Sequence, residues 1–407
     1  MANHIPENDT DKVIKVNKEI SIPLYSQIKT IMLQSIASGE YKLGEKIPSE
    51  IELAKKYGVS RITTKQALND LMQEGIVDRV AGKGTFVRRA APLRNDTADS
   101  PVNPQPLRVR GGQPGSFGLI VPFMKDTYEI GIISGVEQEL RDRDYRLIFR
   151  KTDNSIIEES KAIESLRNEE VQGLIIFPAE GMYCSEALLK LKLEQFPFVM
   201  VDRFYRGIEC NYVVSDNFGG AYAAGEYLIH LGHKEFGLIG YQPELAVSIN
   251  DRIQGFCQAL ADQGIPLSQG RKELSMIREQ TYDRHTGQAD PVAIQTVQAF
   301  LERNPRITAI FAINDYLAIC VLRAALQMGL NVPRDLSVMG FDNNILAANV
   351  EVPLTTVNQP KEEIGKSAAQ LLQGMIETEN PVMEHLVLST ELIIRASTAP
   401  PGESKRV

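Results

Sequence analysis

The sequence has few cysteines and histidines, and neither residue type is grouped. The four cysteines occur without any C-x-x-C spacing, and the five histidines are equally scattered. This pattern indicates small buried apolar thiols in a reducing compartment, because a disulfide framework or a zinc site needs several such residues to converge. We therefore expect no metal and no cofactor. The cysteines are Cys184, Cys210, Cys257 and Cys320.

Long apolar runs are also missing. No stretch approaches the length of apolar residues that crosses a bilayer. Residues 1–19 contain the acidic side chains Glu7, Asp9 and Asp11 among others, and no apolar run, so we expect a disordered tail and no signal peptide. These absences predict a cytoplasmic protein.

A net positive charge is lacking as well. The formal net charge of −8 argues against a protein that coats nucleic acid along its whole surface. The charge is unevenly distributed, because residues 20–90 contain eleven Lys and Arg against seven Asp and Glu. With 407 residues, 43% of them hydrophobic, the chain is expected to form a small basic head and a larger acidic body. This distribution confines DNA binding to one end.

Residues 58–71 predict a DNA-recognition helix. Ser60 is a helix N-cap, and Leu68 and Leu71 form an apolar stripe at helical spacing. Polar side chains then occupy the other face near the positive end of the helix dipole, where they can contact phosphates and base edges. The residues on or near this face are Arg61, Ile62, Thr63, Lys65 and Gln66.

The flanking segments complete a winged helix-turn-helix. Ser49 and Glu52 form a capping box that opens a helix over residues 49–57, and a turn at residues 58–59 joins it to the recognition helix. Apolar segments on either side of residues 81–84 predict a hairpin whose glycine-rich tip carries Lys83. Helix pairs and hairpins are each common, but their order here favours a winged helix. With a first helix over residues 23–38, the domain spans residues 20–89.

The segment from Lys46 to Val87 resembles the GntR family of bacterial regulators. The motifs that carry the resemblance are Lys46-Ile47-Pro48-Ser49-Glu50, Leu53-Ala54, Gly58-Val59-Ser60-Arg61, Thr63-Thr64-Lys65, Ala67-Leu68 and Gly82-Lys83-Gly84-Thr85-Phe86-Val87. Lys46 and Lys65 stand where arginine is commoner, and lysine is a point charge suited to phosphate. The expected DNA-contacting residues are Lys46, Ser49, Ser60, Arg61, Ile62, Thr63, Lys65, Gln66, Lys83 and Gly84.

Residues 90–116 predict a linker, because they contain five prolines and three glycines and no periodic apolar pattern. From residue 117 onward, short apolar strands alternate with amphipathic helices, and the pattern restarts after Asp216. Such alternation is typical of doubly wound parallel sheets. We therefore predict an α/β body over residues 117–398 with two lobes and a cleft, followed by a tail at residues 399–407.

Ligands of open α/β sheets bind beyond the carboxyl ends of the strands. Asp and Asn at these positions also cap helices, which accounts equally well for any single one. Two guanidinium groups, Arg203 and Arg252, are not needed for capping and favour a site for the hydroxyl groups of a neutral polyol. The candidate residues after the strands are Lys125, Asp126, Tyr128, Arg203, Phe204, Asp216, Arg252, Asn314 and Asp342.

The body resembles the LacI/GalR family of sensor domains, which share the fold of periplasmic sugar-binding proteins. The resemblance is carried by Val214-Ser215-Asp216-Asn217, Leu231-Gly232-His233, Asp251-Arg252, Asn314-Asp315, Val338-Met339-Gly340-Phe341-Asp342-Asn343 and Pro353-Leu354-Thr355-Thr356-Val357 with Gln359-Pro360. It implies that Arg252, Asn314 and Asp342 hold ligand hydroxyls, with Gln359 at the cleft edge. A GntR head on such a sensor is similar to the Gram-positive arabinose repressors.

Together these patterns predict a repressor of carbohydrate-utilisation genes with two partners, operator DNA and a small sugar of the pentose or hexose class. Two chains are expected to form a homodimer whose heads match a palindromic operator. Two alternatives remain open from the sequence. One is a sugar-binding protein without a transcriptional role, and the other is an enzyme with a pyridoxal-phosphate body, for which no nucleophile–base pair or phosphate loop stands out.

Overall fold

The computed structural model describes residues 24–37, 39–73, 76–80, 83–88, 115–124, 126–180, 184–205, 208–241, 246–265, 271–276, 282–283, 288–378 and 381–402. The expected tail at residues 1–19 and most of the expected linker lie outside these ranges. Ser116, assigned to the linker from the sequence, begins the first strand of the body.

The head contains three helices and a small antiparallel sheet. The helices are α1 (Leu24–Ala37), α2 (Glu50–Tyr57) and α3 (Arg61–Gln73), and the strands are β1 (Lys46–Ile47), β2 (Val77–Val80) and β3 (Gly84–Val87). The sheet order is β1-β3-β2. Its core is apolar and fully buried, with Ile28, Leu33, Leu53 and Leu71 at its centre. The helix pair and the hairpin follow the sequence prediction, whereas β1 was not predicted.

The first lobe of the body is a parallel sheet with the strand order β16-β8-β7-β6-β4-β5. Its strands are β4 (Ser116–Val121), β5 (Arg146–Lys151), β6 (Gly173–Ile176), β7 (Phe198–Val201), β8 (Asn211–Ser215) and β16 (His385–Leu388). The helices that alternate with β4 to β7 along the chain are α4 (Thr127–Arg141), α5 (Ile156–Asn168) and α6 (Glu186–Leu193).

The second lobe is a sheet with the order β10-β9-β13-β14-β15-β17, in which β17 is the one antiparallel strand. Its strands are β9 (Phe236–Tyr241), β10 (Arg271–Met276), β13 (Ala309–Ala312), β14 (Ser337–Asp342), β15 (Thr355–Asn358) and β17 (Glu391–Ile393). The helices are α7 (Asn217–His230), α8 (Val247–Asp262), α9 (Pro291–Arg303), α10 (Asp315–Gln327) and α11 (Ile345–Ala348). The strands β11 (Tyr282–Asp283) and β12 (Gln288–Ala289) form a separate antiparallel pair.

The chain passes between the lobes three times, after β8, after β15 and between β16 and β17. The second passage leads into α12 (Lys361–Glu377), whose residues Ile364 and Ala368 pack into the core of the first lobe. Two glycines allow α12 to approach α4 closely, because a Cβ at Gly135 would overlap the carbonyl oxygen of Glu362 and a Cβ at Gly365 that of Ile132. The passages place the carboxyl ends of strands from both lobes beside one cleft.

The doubly wound α/β class and the two-lobed organisation are confirmed. Several later elements were not predicted, among them β8, α9, α12 and β16. The sequence placed the tail from residue 399, but Ala399 donates its N–H to Ser337 Oγ at 3.1 Å and Gly402 donates to the carbonyl of Arg334 at 3.2 Å. Among the helices described, none has the length and apolarity that a membrane span requires.

Candidate functional site

The exposed face of α3 presents the predicted DNA-contacting side chains. Arg61, Lys65 and Gln66 are exposed, whereas Leu68 and Leu71 are buried in the head. The buried hydroxyl of Thr64 donates to the carbonyl oxygen of Glu50 at 2.8 Å and so fixes α3 against α2. The polar face is therefore held outward, where a helix can lie on a major groove. The side chain of Ile62 lies outside the described structure.

The two predicted caps are present at the starts of α2 and α3. Ser49 accepts from the N–H of Glu52, and the Glu52 carboxylate accepts from the N–H of Ser49 at 2.7 Å, which completes the capping box. Ser60 Oγ accepts from the N–H of Thr63 at 3.2 Å and lies 2.7 Å from the Thr63 hydroxyl. These hydroxyl groups fix the entry of each helix.

The tip of the wing is formed by exposed Lys83 and by Gly84, whose φ of +122° is a conformation that side chains disfavour. A Cβ at position 84 would also lie within 2.5 Å of Lys46 Cε, because the Lys46 side chain crosses over this glycine. The wing tip thus carries Lys83, and Lys46 on the neighbouring strand β1 reaches over Gly84, which suits contact of both cations with phosphates.

An acidic residue between two arginines was not identified from the sequence. The carboxylate of Glu50, which is 8% exposed, lies 3.1 Å from Nη2 of Arg79 on β2 and 3.5 Å from Nε of Arg61. Both arginines are themselves more than half exposed. Glu50 therefore aligns one arginine from the recognition helix with one from the wing.

In the first lobe, a network of charged side chains lies at the carboxyl ends of strands β6 and β7. The hydroxyl of buried Tyr128 donates to Asp202, whose other carboxylate oxygen accepts from Arg203 Nε at 3.1 Å. Arg203 Nη1 lies 2.8 Å from Glu180, and its guanidinium stacks 4.8 Å from the ring centroid of Phe177. Burial and the neighbouring Asp202 raise the pKa of Tyr128 well above its usual value, so the phenol stays a donor.

In the second lobe, buried Arg252 forms an ion pair with the partly buried Asp342. Arg252 Nη1 lies 3.0 Å from Asp342 Oδ1 and donates to the carbonyl oxygen of Ile313 at 2.8 Å. Its Nε donates to Asn217 Oδ1 at 2.8 Å, and its guanidinium lies 3.9 Å from the ring centroid of Phe341. Arg252 is thus clamped in one geometry at the carboxyl end of β14.

Gln359 connects the charged side chains of the first lobe with the Arg252–Asp342 pair of the second lobe. Its Nε2 donates to Asp342 Oδ1 at 2.7 Å, and its Oε1 lies 3.1 Å from the Tyr128 hydroxyl. We call the resulting network the cleft cluster. Because its polar groups come from both lobes, the cleft cluster is a place where a bound polyol can contact both lobes at once. The cleft cluster consists of Tyr128, Asp202, Arg203, Arg252, Asp342 and Gln359.

Lys361, at the start of α12, is a further cation that the sequence patterns missed. Its Nζ donates to the carbonyl oxygen of Asn343 at 2.7 Å, which joins the first lobe to the turn after β14. Burial lowers the pKa of Lys361, while Asp342, Asp315 and Asp126 oppose that shift.

Four predicted ligand residues have structural contacts instead of a place in the cleft cluster. Asp126, Asp216 and Asn314 are the N-caps of α4, α7 and α10. The ring of Phe204 stacks on that of Tyr212 at 4.2 Å. Lys125 lies outside the described residues.

Asp126 has a second contact, which crosses the cleft. Its Oδ2 accepts a hydrogen bond from the hydroxyl of Tyr316 on α10 at 2.6 Å. Close by, the N–H of Ile345 donates to Thr127 Oγ1 at 3.2 Å. These two hydrogen bonds join the start of α4 in the first lobe directly to the second lobe.

A fully buried carboxyl group, Asp315, supports the floor of the cleft. It contacts the Thr356 hydroxyl at 2.6 Å and accepts from the N–H of Asn344 at 2.8 Å. Burial, reinforced by Asp342, raises the pKa of Asp315 to about 8. With a pKa of about 8 the group is therefore mostly protonated at neutral pH in the folded chain, and its Oδ1 accepts the hydrogen bond from the Thr356 hydroxyl.

We expect Asp315→Asn to make stability less dependent on pH. The folded pKa of about 8 lies above the unfolded value of about 3.9, so the stabilising contribution is complete below pH ~4 and is lost as pH rises towards 8. This loss amounts to at most about 1.4 kcal/mol per pH unit. Asparagine imitates the neutral acid, so urea denaturation at pH 5 and pH 8 should differ less in the variant. The exposed control Asp144→Asn should behave like wild type, and an identical pH dependence in both variants would contradict the assignment.

Family models match two separate parts of the chain. Residues 24–87 match the family described as bacterial regulatory proteins, gntR family, and residues 226–398 match the periplasmic binding protein-like domain. The first match covers the head with its exposed α3 face, and the second covers most of the second lobe.

Relatives match along nearly the whole chain. An arabinose metabolism transcriptional repressor of Geobacillus stearothermophilus is 33% identical over 388 residues, which is 94% of this chain and 99% of the relative. A repressor of the same description from Halalkalibacterium halodurans is 29% identical over 94% of this chain and 97% of its own length. These relatives are transcriptional regulators and not enzymes, as the sequence predicts.

Among solved structures, a LacI family transcriptional regulator from Enterococcus faecium with bound ribose is 28% identical, with a TM-score of 0.59. It covers 70% of this chain, and the match spans 99% of its own chain. The family matches, the relatives and the solved structure thus all indicate the same combination of DNA-binding head and sensor domain. The chain belongs to the family of sugar-operon transcriptional repressors in which a GntR-type DNA-binding domain is joined to a LacI-type, periplasmic-binding-protein-like sensor domain.

Proposed function

We propose that the effector is a neutral monosaccharide, with arabinose and other pentoses as the first candidates. The observation that carries this proposal is the balance of charge around the cleft. Asp202, Asp342 and Glu180 face Arg203, Arg252 and Lys361, so the cations are already neutralised by carboxylates. Alternating acceptors and donors suit sugar hydroxyls, whereas a sugar phosphate would require an excess of positive charge. The names of the relatives and the ribose bound to the neighbouring structure support a pentose.

The sugar acts by favouring the closed cleft. A ligand that hydrogen-bonds to both sides of the cleft cluster binds the closed state more tightly and therefore shifts the population towards it. In a homodimer, closure changes the relation between the protomers and hence the fit of the paired heads to a palindromic operator. Operator binding and sugar binding are then reciprocally coupled, typically by about 1–3 kcal/mol. The protein acts in the bacterial cytoplasm as a repressor that the sugar releases.

The test is fluorescence anisotropy of a labelled duplex taken from upstream of the protein's own gene. Wild-type protein is titrated with and without arabinose, ribose, xylose, galactose and the corresponding sugar phosphates. We expect tight, salt-dependent operator binding that one neutral sugar weakens. Release by a sugar phosphate alone would overturn the charge argument, and the absence of any sugar response would overturn the assignment of the cleft. Sedimentation equilibrium of the free protein tests the homodimer.

We expect Tyr316→Phe to weaken sugar binding about fivefold. The change removes the hydrogen bond to Asp126, which joins the two lobes, and a typical hydrogen bond contributes about 1 kcal/mol. Isothermal titration calorimetry measures the effect. The matched control is Tyr222→Phe, which removes an exposed hydrogen bond to Asp262 on the second lobe. Equal sugar affinities in the two variants would show that the contact across the cleft does not stabilise closure.

A further inference from the structure

The turn that carries Asp342 has an unusual backbone. Asp342 has a φ of +108° and Asn343 a φ of +48°, both in the region that L side chains rarely adopt. Two consecutive residues of this kind are strained, and such a conformation persists only where the surroundings impose it. Since the Asp342 carboxylate pairs with Arg252 and Gln359, the strain lies in the backbone of the cleft cluster itself.

Asn343 is fixed through all of its polar groups. Its N–H donates to Thr356 Oγ1 at 3.3 Å, and its carbonyl oxygen accepts from Lys361. Its side-chain Nδ2 donates to Asn358 Oδ1 at 3.1 Å, and its Oδ1 accepts from Arg395 Nη2 at 2.7 Å. Thr356 and Asn358 lie on the neighbouring strand β15, and Lys361 follows that strand closely. Arg395, in contrast, comes from the C-terminal segment after β17.

Arg395 connects this turn to the start of β15. Its Nη1 donates to the carbonyl oxygen of Leu354 at 2.7 Å, while its own N–H donates to Thr355 Oγ1 at 3.0 Å. The planar guanidinium can bridge two acceptors in one fixed geometry, which a lysine ammonium cannot do. The guanidinium therefore ties the strained turn to Leu354, directly before β15, and the backbone N–H of Arg395 adds a contact with Thr355 in β15.

We propose that Arg395 is a positioning residue for the effector site. It acts through Asn343 to hold Asp342 in the orientation that pairs with Arg252 and Gln359, and so sets the affinity for the sugar. This inference rests on the proposed function, because it requires that the cleft cluster binds the effector. Arg395 itself contacts the turn and β15, and the effect on the sugar is indirect.

The experiment compares sugar affinities by isothermal titration calorimetry, using the sugar that releases the wild-type protein from its operator. Arg395→Gln is expected to weaken sugar binding about tenfold or more, and Arg395→Lys to restore little of it because the two-acceptor geometry is lost. The matched control is Arg306→Gln, a change at an exposed arginine of the same lobe, and it should leave the affinity within twofold of wild type. Operator affinity without sugar should be unchanged in every variant.

A double-mutant cycle separates positioning from a general loss of stability. If Arg395 acts through Asn343, the effects of Arg395→Gln and Asn343→Ala on sugar affinity should be strongly non-additive. Glycine accepts a positive φ without strain, so in the Asn343→Gly background Arg395→Gln should change the affinity less than twofold. A purely structural arginine would instead lower the melting temperature equally in both backgrounds and leave the affinity of the folded protein unchanged.

Three outcomes decide the inference. Non-additive losses with rescue by glycine support it. Wild-type affinity in Arg395→Gln, or additive losses in the cycle, overturns it while leaving the proposed function intact. Failure of the wild-type protein to bind any sugar overturns the proposed function and this inference together.

Discussion

Replacing Arg252 with alanine should abolish the sugar response and leave operator binding intact. The guanidinium is buried, and its loss leaves the Asp342 carboxylate in a low-dielectric cleft without its cation. A hydrogen bond from a charged donor typically contributes about 1.5–3 kcal/mol, so loss of the guanidinium should weaken sugar binding by about tenfold to a hundredfold for each such bond. Titration calorimetry with the sugar that releases the wild-type protein measures the loss of sugar affinity. Fluorescence anisotropy with the operator duplex measures the operator affinity that the variant retains.

Arg252→Lys is the matched control for charge. Lysine keeps the positive charge beside Asp342 but cannot also reach Asn217 and the carbonyl of Ile313 in the same geometry. We therefore expect an intermediate affinity. Thermal denaturation without sugar shows whether either variant is destabilised. Loss of operator binding together with sugar binding in a fully folded variant would contradict the division of labour between head and sensor.

Arg61→Ala should have the converse effect. Arg61 lies exposed in the first turn of α3, at the positive end of the helix dipole and beside Glu50. A base contact contributes about 1–3 kcal/mol, and the proposed homodimer would lose it in both heads, so operator affinity should fall by about 10² or more. Sugar affinity should be unchanged, because the cleft cluster contains no residue of the head.

Lys55→Ala on the neighbouring helix α2 is the control for the removal of a positive charge from the head. It is expected to weaken operator binding much less than Arg61→Ala does. Glu50→Gln tests the alignment of Arg61 with Arg79, since it removes the carboxylate that both arginines share. Equal effects of Lys55→Ala and Arg61→Ala would show that α3 contributes only general electrostatic attraction.

The head could be predicted almost completely from the sequence because its signals are local. The Ser49–Glu52 capping box, the turn at Gly58 and the glycine-rich wing tip each lie within a few residues of the structure that they specify. The short strand β1 is an exception, since its two residues pair with β3 almost forty positions away. Pairing over such a distance leaves no periodic pattern in so short a segment.

The sensor fold could also be predicted from the sequence, and five of the six residues of the cleft cluster are among the sequence candidates, but the contacts between them could not be predicted. Some residues of the cleft lie at the ends of elements, where position alone makes them candidates: Asp202 follows β7, Lys361 begins α12, and Tyr316 is in the first turn of α10. Their contacts, however, depend on which strands become neighbours in the sheet. The Tyr316 hydroxyl meets a carboxylate 190 residues away. Asp216 and Asn314 follow strands in the same way and cap helices, and their contact with sugar hydroxyls stays a prediction. The assignment of sugar-contacting residues stays a prediction for the variants above.

The return of α12 and β16 to the first lobe also bears on biosynthesis. Strands β4 to β8 leave the ribosome early, but the helix that covers them and the strand that completes their sheet come from the last fifth of the chain. The head can fold as soon as it emerges, since domains fold as units from the N-terminus during synthesis. A nonsense codon shortly before residue 361 would therefore release a folded DNA-binding head on a sensor that cannot respond to sugar.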